Sequence, residues 1–226
     1  MNIINTIMKN TTRKIWFENA NEAFLYLNDL IREKGVDFGD TKALFNVGFY
    51  MENPNQNHIA AEVRNWSYDY AEAEWQWYLS GDPKISALGD LHGSIPPIWK
   101  KMANENGEVN SNYGYQWSRN SQLTRVIQML KNNPETRQAT ISIYDGKEMD
   151  KYDHDTPCTY AVQFTIVNGK LDMCVTMRSN DLWYGFCNDQ YQFSKLQMMI
   201  SNALNIPMGI YYHFAHNMHL YNNKIK

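Results

Sequence analysis

The chain has 226 residues, 43% of them hydrophobic and 14% aromatic, with a formal charge of −3. That is enough for a sizeable core, and single domains run to roughly 250 residues, so one domain over residues 1–226 is expected. With no block of about five like charges, the composition argues against a polynucleotide footprint or a membrane-surface patch, while a few local arginines suffice for a small anion.

No stretch approaches roughly 18 consecutive apolar residues, and the N-terminus MNIINTIMKNTTRK has no secretory h-region. A cytoplasmic protein with no membrane partner is expected. Cys158, Cys174 and Cys187 lie in no CxxC pair, which disfavours a disulfide framework and a zinc knuckle. A lone cysteine is more often a small buried hydrophobe than a nucleophile.

Apolar residues at helical spacing in ENANEAFLYLNDLIREKG (18–35) predict a helix that stops at its glycine. ALFNVGFYM (43–51) reads as strand and NPNQN (53–57) as turn. NWSYDYAEAEWQWYLSGD (65–82) predicts a helix ended by Gly81 and Pro83, with Glu72 and Glu74 among aromatic residues. SQLTRVIQMLKNNPET (121–136) predicts a further helix, and QATISIYDG (138–146) a strand. Two alternating runs flank Asn168–Gly169, the strongest short hairpin signal. On the second run Leu171, Met173, Val175 and Met177 share one face, and Asp172, Cys174, Thr176 and Arg178 the other. A helix over 192–205 follows YGFCNDQYQF, and a strand over 209–221 carries His213, His216 and His219. Mixed strands and helices give an α+β class with a large, mainly antiparallel or mixed sheet.

Each chemical signal has a plainer reading beside it. Three histidines spaced three apart suit a metal in spacing, but on a strand neighbours at that spacing face opposite sides, so no metal site is expected. Arg178 and Ser179 form a good phosphate clamp, yet equally a surface arginine at a strand end. Taken alone, Glu74 reads as a carboxylate on a solvated face; the alternative is a general acid/base with a raised pKa. Cys158, behind Pro157 in DTPCTYAVQF, has the place of a nucleophile only if a cation favours its thiolate.

These signals gain weight together. AEWQWYLSGD, PPIWKKMANENGEVNSNYGYQW, KNNPETRQATIS, the run from PCTYAVQF through IVNGKL and MRSND to YGFCND, and HNMHLY resemble successive blocks of the thymidylate synthase family. The resemblance covers about 150 residues, from Glu72 to Tyr221. It implies a thymidylate synthase-like α+β fold: a large twisted mixed β-sheet with helices packed on it, dimeric through the sheet. It makes Cys158 the nucleophile that adds to C6 of a pyrimidine nucleotide. Glu74 becomes the glutamate that organises water and moves protons. Arg178 and Ser179 become the phosphate clamp, and Arg137 an arginine that reaches the phosphate of the partner subunit in a homodimer. Trp99 and Tyr113 line the pocket, Trp99 toward the cofactor also; Gln163 lies near the base; His219 and Tyr221 hold the sugar 3′-hydroxyl. Asp181 contacts folate, and the implied co-substrate is 5,10-methylenetetrahydrofolate, without metal. The chemistry suits these types: thiolate addition at C6 makes C5 nucleophilic enough to take up a one-carbon unit.

Three departures from the family pattern locate the chain within it. The base-reading position, fourth after Gly185, holds an asparagine in the synthases and Asp189 here, with Asn188 one position early and counted among the substrate contacts. An asparagine amide serves uracil, which offers N3–H and O4; a carboxylate accepts from the 4-amino group of cytosine, and from N3 once protonated. The residue after the nucleophile is Thr159 instead of histidine. The arginine pair is reduced to Arg137–Gln138, with no N-terminal phosphate-loop arginine; Lys34 and Lys42 are the substitutes considered. The first two departures resemble the deoxycytidylate hydroxymethylase branch, associated with viruses and DNA modification, in which water instead of hydride completes the product on dCMP. The expected reaction is dCMP to 5-hydroxymethyl-dCMP. The alternatives are C5 methylation of a cytidylate, hydroxymethylation of CMP, thymidylate synthase action on dUMP, and an inactive nucleotide-binding homologue. The chain ends at Lys226, five residues past Tyr221, where family members usually continue into a tail that helps close the folate site; either the sequence is trimmed there or the folate site is more open.

Overall fold

Residues 14–225 are described in the computed structural model. The N-terminal stretch searched above for a secretory segment lies, up to residue 13, outside the described residues. In chain order the elements are β1 (Trp16–Phe17), α1 (Ala20–Lys34), β2 (Val36–Phe38), β3 (Thr41–Met51), α2 (Tyr68–Ser80), α3 (Ile85–His92), α4 (Pro97–Met102), α5 (Tyr113–Ser118), α6 (Gln122–Asn132), β4 (Thr140–Ser142), β5 (Thr159–Val167), β6 (Lys170–Met177), β7 (Asn180–Asp181), α7 (Cys187–Leu204) and β8 (Met208–Tyr221). Contacts group them into two units, one running to Trp66 and resuming at Ile166, the other Ser67–Thr165. Among the described residues no helix is long and apolar enough to cross a membrane.

The first unit is built on a mixed sheet. Its strands run in the order β1-β3-β8-β6, with β2 added to β3 and β7 to β8. The β3–β8 pair is antiparallel, placing Phe49 opposite His213. The β6–β8 pair is parallel, placing Val175 beside His213. Helices α1 and α7 pack on this sheet. Asn19 caps α1 by accepting from the Glu22 N–H at 3.0 Å, an orphan donor of the first turn, while the Glu22 carboxylate takes the N–H of Glu18, just before the cap, at 2.6 Å. Ala23, Phe24, Leu27 and Ile31, at helical spacing, are buried. The two faces of β6 are as the alternation predicts: Leu171, Met173, Val175 and Met177 are buried, and the residues between them half-buried. Between β5 and β6, Asn168 (φ 51°) and Gly169 (φ 74°) both take the positive φ of a type I′ turn.

In the second unit Ser67 caps α2 at 3.2 Å and Gly81 closes it. The helix predicted over 65–82 is thus the shorter Tyr68–Ser80. Its aromatic residues build the core: Tyr78 lies 5.7 Å from Tyr113 and 5.9 Å from Trp117, and Trp75 5.9 Å from Trp117, ring centre to ring centre. Full burial of each such ring is worth roughly 2–3 kcal/mol. The strand predicted over 138–146 narrows to β4, which pairs antiparallel with β5.

The largest departure concerns α7. A helix from 192 is predicted; α7 starts at Cys187 instead. The reason lies just before it. Asp181 accepts the N–H groups of Trp183 and Tyr184 at 2.9 and 3.1 Å, capping a single π turn, Leu182–Phe186, that feeds directly into α7. Asp189 therefore stands in the first turn of a helix.

Candidate active site

The base-reading candidate in the first unit sits at the end of a chain of polar groups. Asn180 Nδ2 donates to Asp189 Oδ2 at 2.7 Å. Asn180 Oδ1 lies 3.0 Å from His213 Nε2, and His213 Nδ1 lies 3.1 Å from the Tyr211 hydroxyl. Asn180 is 2% exposed, and His213 and Tyr211 are 0% exposed. Burial pushes the His213 pKa down to about 3, so the ring is neutral at physiological pH. Gly185 makes room for the pair, since a Cβ there would stand 2.9 Å from Asn180 Nδ2 and 3.2 Å from Asp189 Oδ2.

Neighbouring candidates have their own partners. Asn188 Oδ1 accepts from Trp66 Nε1–H at 2.8 Å. Asp181, besides capping the π turn, has its pKa raised to about 6, because burial outweighs its backbone hydrogen bonds. Arg64 donates from Nε to the Trp183 carbonyl at 2.6 Å, and its positive charge acts on Asp181 against that rise. Cys187 is fully buried, its thiol donates to the Leu182 carbonyl at 3.4 Å, and burial lifts its pKa to about 12, so it is inert. Arg178 and Ser179 are half-buried just past β6. His219 Nδ1 bonds Asn217 Oδ1 at 2.8 Å and meets the Tyr221 ring edge-on at 5.4 Å. Along β8, His213 and His219 are buried while His216 is exposed.

The second unit carries the other candidates. Glu74 is 3% exposed, which corrects the reading of a carboxylate on a solvated face. It is buried because it lies three residues after Ala71 and four before Tyr78, on the inward face of α2, and it is met by a directional chain: Trp99 Nε1–H donates to the Tyr70 hydroxyl at 2.8 Å, and that hydroxyl donates to Glu74 Oε1 at 2.9 Å. Tyr113 is buried at the start of α5 and Trp99 is half-buried on α4. Cys158 is half-buried just ahead of β5, behind the buried Pro157. Upstream, Asp155 takes the Ser111 N–H at 2.6 Å and the Ser111 hydroxyl at 2.6 Å, tying the loop to the segment before α5. Gln163 on β5 accepts from the Thr140 hydroxyl opposite it, and Arg137 is exposed ahead of β4. A cavity of about 600 Å³ in this unit, lined by Tyr115, Arg119, Glu148, Lys151 and His154 among others, includes none of these candidates.

Within one unit, then, Asp189, Asn188 and Asp181 cluster about the π turn; within the other, Glu74 and Trp99 are joined through Tyr70. Sequence reading missed Asn180, His213 and the bridging role of Tyr70. Asn180 stands inside the MRSND block and His213 on a predicted strand, but only their hydrogen bonds reveal them.

The thymidylate synthase family model matches residues 32–226. Among solved structures, the crystal structure of thymidylate synthase from T4 phage superposes with a TM-score of 0.74 at 25% identity, over 89% of this chain and 77% of that one. The mixed sheet with helices packed on it is thus a thymidylate synthase-like α+β fold. Sequence match, fold and covered length agree, and the chain belongs to the thymidylate synthase family, whose members are one-carbon transferases that use methylenetetrahydrofolate and a nucleotide.

Proposed function

We propose that the protein transfers a one-carbon unit from methylenetetrahydrofolate to C5 of dCMP, with water completing the product, 5-hydroxymethyl-dCMP. The observation that carries this reading is Asp189, a carboxylate at the position fourth after Gly185, held as a hydrogen-bond acceptor by Asn180 at 2.7 Å. An acceptor complements the 4-amino group of cytosine and repels O4 of uracil. A protonated N3 would complete the pairing and make C6 more electrophilic.

The remaining roles are those the family resemblance implies, and residue chemistry suits them. Cys158 adds as thiolate to C6, which makes C5 nucleophilic. Glu74, buried and oriented by Tyr70, positions water and moves protons. Arg178 and Ser179 bind the nucleotide phosphate, joined by Arg137 from the partner subunit of a homodimer. Gln163 and Asn188 lie toward the base, Trp99 and Tyr113 line the pocket, His219 and Tyr221 hold the sugar, and Asp181 faces the folate. Folate supplies the one-carbon unit at the oxidation level of formaldehyde, so addition of water balances the reaction with no redox change. The half-exposed aromatic face of the first unit's sheet, with Phe45, Tyr50, Tyr212 and Phe214, supports dimerisation through the sheet. Three cysteines, none joined in a disulfide among the described residues, suit the reducing cytoplasm.

The test is incubation with dCMP, dUMP and CMP in turn, each with methylenetetrahydrofolate, and mass analysis of the nucleotide. Hydroxymethyl on dCMP is the expected gain. Methyl on dUMP with dCMP untouched would overturn the reading.

A further inference from the structure

The polar chain behind Asp189 has only one consistent direction when the carboxylate is ionised. An ionised carboxylate accepts and cannot donate, so Asn180 must present its NH₂ to Asp189. Asn180 Oδ1 then faces His213 Nε2, which must carry the ring proton. Nδ1 is left as acceptor and takes the Tyr211 hydroxyl proton. Neutral imidazole has one donor and one acceptor, and this arrangement uses both. The ring is fixed in place by Phe49, stacked at 5.3 Å, and by Phe186, edge-on at 5.3 Å.

The reverse direction has a definite chemical meaning. If the Asn180 amide turned over, its oxygen would face Asp189, and that contact is favourable only when Asp189 is protonated. A protonated carboxyl has a single O–H, and against a reversed Asn180 that O–H is spent on the amide oxygen; only a carboxyl released from Asn180 could turn a donor and an acceptor to uracil as an asparagine amide does. A donor held in place on Asn180 therefore separates an acceptor-only, cytosine-reading carboxylate from a carboxyl free to take up a proton and read uracil.

We propose that His213 and Asn180 are positioning residues that set base preference by holding Asp189 in its acceptor form. The inference rests on the reading of Asp189 as the base reader. It adds that the identity of residue 189 is insufficient without the donor from β8.

The experiment measures Kd for dCMP and for dUMP by calorimetry on the full-length protein, for wild type, Asp189→Asn, His213→Phe, His213→Gln and Asn180→Ser. His213→Phe keeps an aromatic ring between Phe49 and Phe186 but removes the donor; Gln can place an N–H where Nε2 stood. The dCMP-over-dUMP preference is expected to fall at least tenfold in His213→Phe and Asn180→Ser, and to stay within about threefold of wild type in His213→Gln. A merely structural role would weaken both nucleotides together and leave the ratio unchanged. If Asp189→Asn shifts the preference toward dUMP while His213→Phe or, should that variant not fold, Asn180→Ser leaves the ratio unchanged, the positioning role is overturned and the base-reading role stands. If Asp189→Asn itself leaves the dCMP preference intact, base reading by Asp189 fails and the positioning role fails with it.

Discussion

Replacing Gly185 with alanine adds one methyl group at the tightest point beside Asp189. The new Cβ would lie 2.9 Å from Asn180 Nδ2, 3.2 Å from Asp189 Oδ2 and 3.7 Å from Asp181 Cβ. Contacts that short force a shift, and the atoms that must move are the two ends of the Asn180–Asp189 hydrogen bond. A hydrogen bond to a charged group is worth about 1.5–3 kcal/mol. Alanine also returns roughly 0.5–1 kcal/mol relative to glycine inside a helical turn, because it loses less backbone freedom on folding. Net stability should therefore fall by about 0.5–2.5 kcal/mol. Loss of the aligned acceptor should weaken dCMP binding by roughly ten- to a hundredfold, at 1.4 kcal/mol per factor of ten. Urea denaturation reads the first quantity and titration calorimetry with dCMP the second. Wild-type dCMP affinity, to within twofold, in a folded Gly185→Ala protein would refute the claim that the pair's geometry governs base binding.

Other substitutions probe different links. Cys158→Ala should abolish turnover while leaving dCMP binding measurable by calorimetry; appreciable residual turnover rules out a nucleophilic role. Tyr70→Phe removes the donor to buried Glu74 and should cost about 1–3 kcal/mol of stability together with at least a tenfold loss in kcat; unchanged kcat would detach Tyr70 from Glu74's work. His213 gives a pH signature. Its folded pKa, about 3, lies below the ordinary 6.5, so between these values the unfolded chain binds the extra proton. Its contribution to stability is full above pH 6.5 and is lost toward pH 3, at up to about 1.4 kcal/mol per pH unit. His213→Phe should flatten the acid limb of the denaturation profile by that slope, and an unaltered limb would show that His213 does not titrate as a buried neutral ring.

Local pattern carried much of the fold. Alternation along β6, the Asn168–Gly169 turn and the spacing of Phe24, Leu27 and Ile31 are all decided by neighbours within a few residues, which a sequence exposes directly. The short helices α3, α4 and α5 lacked such a signal, being too brief to show a period. Glu74 read alone looks solvated because it is a carboxylate, although Asp69, Glu72, Gln76 and Ser80 mark the solvent side of α2 at helical spacing and Glu74 lies off that stripe; the resemblance to the family is what gives it a role. Asn180 with His213 and Tyr70 with Trp99 are joined across 33 and 29 residues. Pairings at that distance follow from strand register and helix packing, which periodicity does not encode. Asp189 was legible because its chemistry departs from a motif, but its partner was not.

The π turn at Leu182–Phe186 carries one residue more per turn than an α-helix would. It thereby sets the phase at which α7 begins, and phase decides which side chain occupies the reading position. Counted forward from Gly185, one inserted residue would bring Asn188, an amide, into the place now held by the acid. With Asp189 as the base reader proposed above, base choice would be a frame as well as an identity, open to change by an indel with no substitution at all. Insertion variants across 186–188, scored for dUMP against dCMP binding, would read that frame directly.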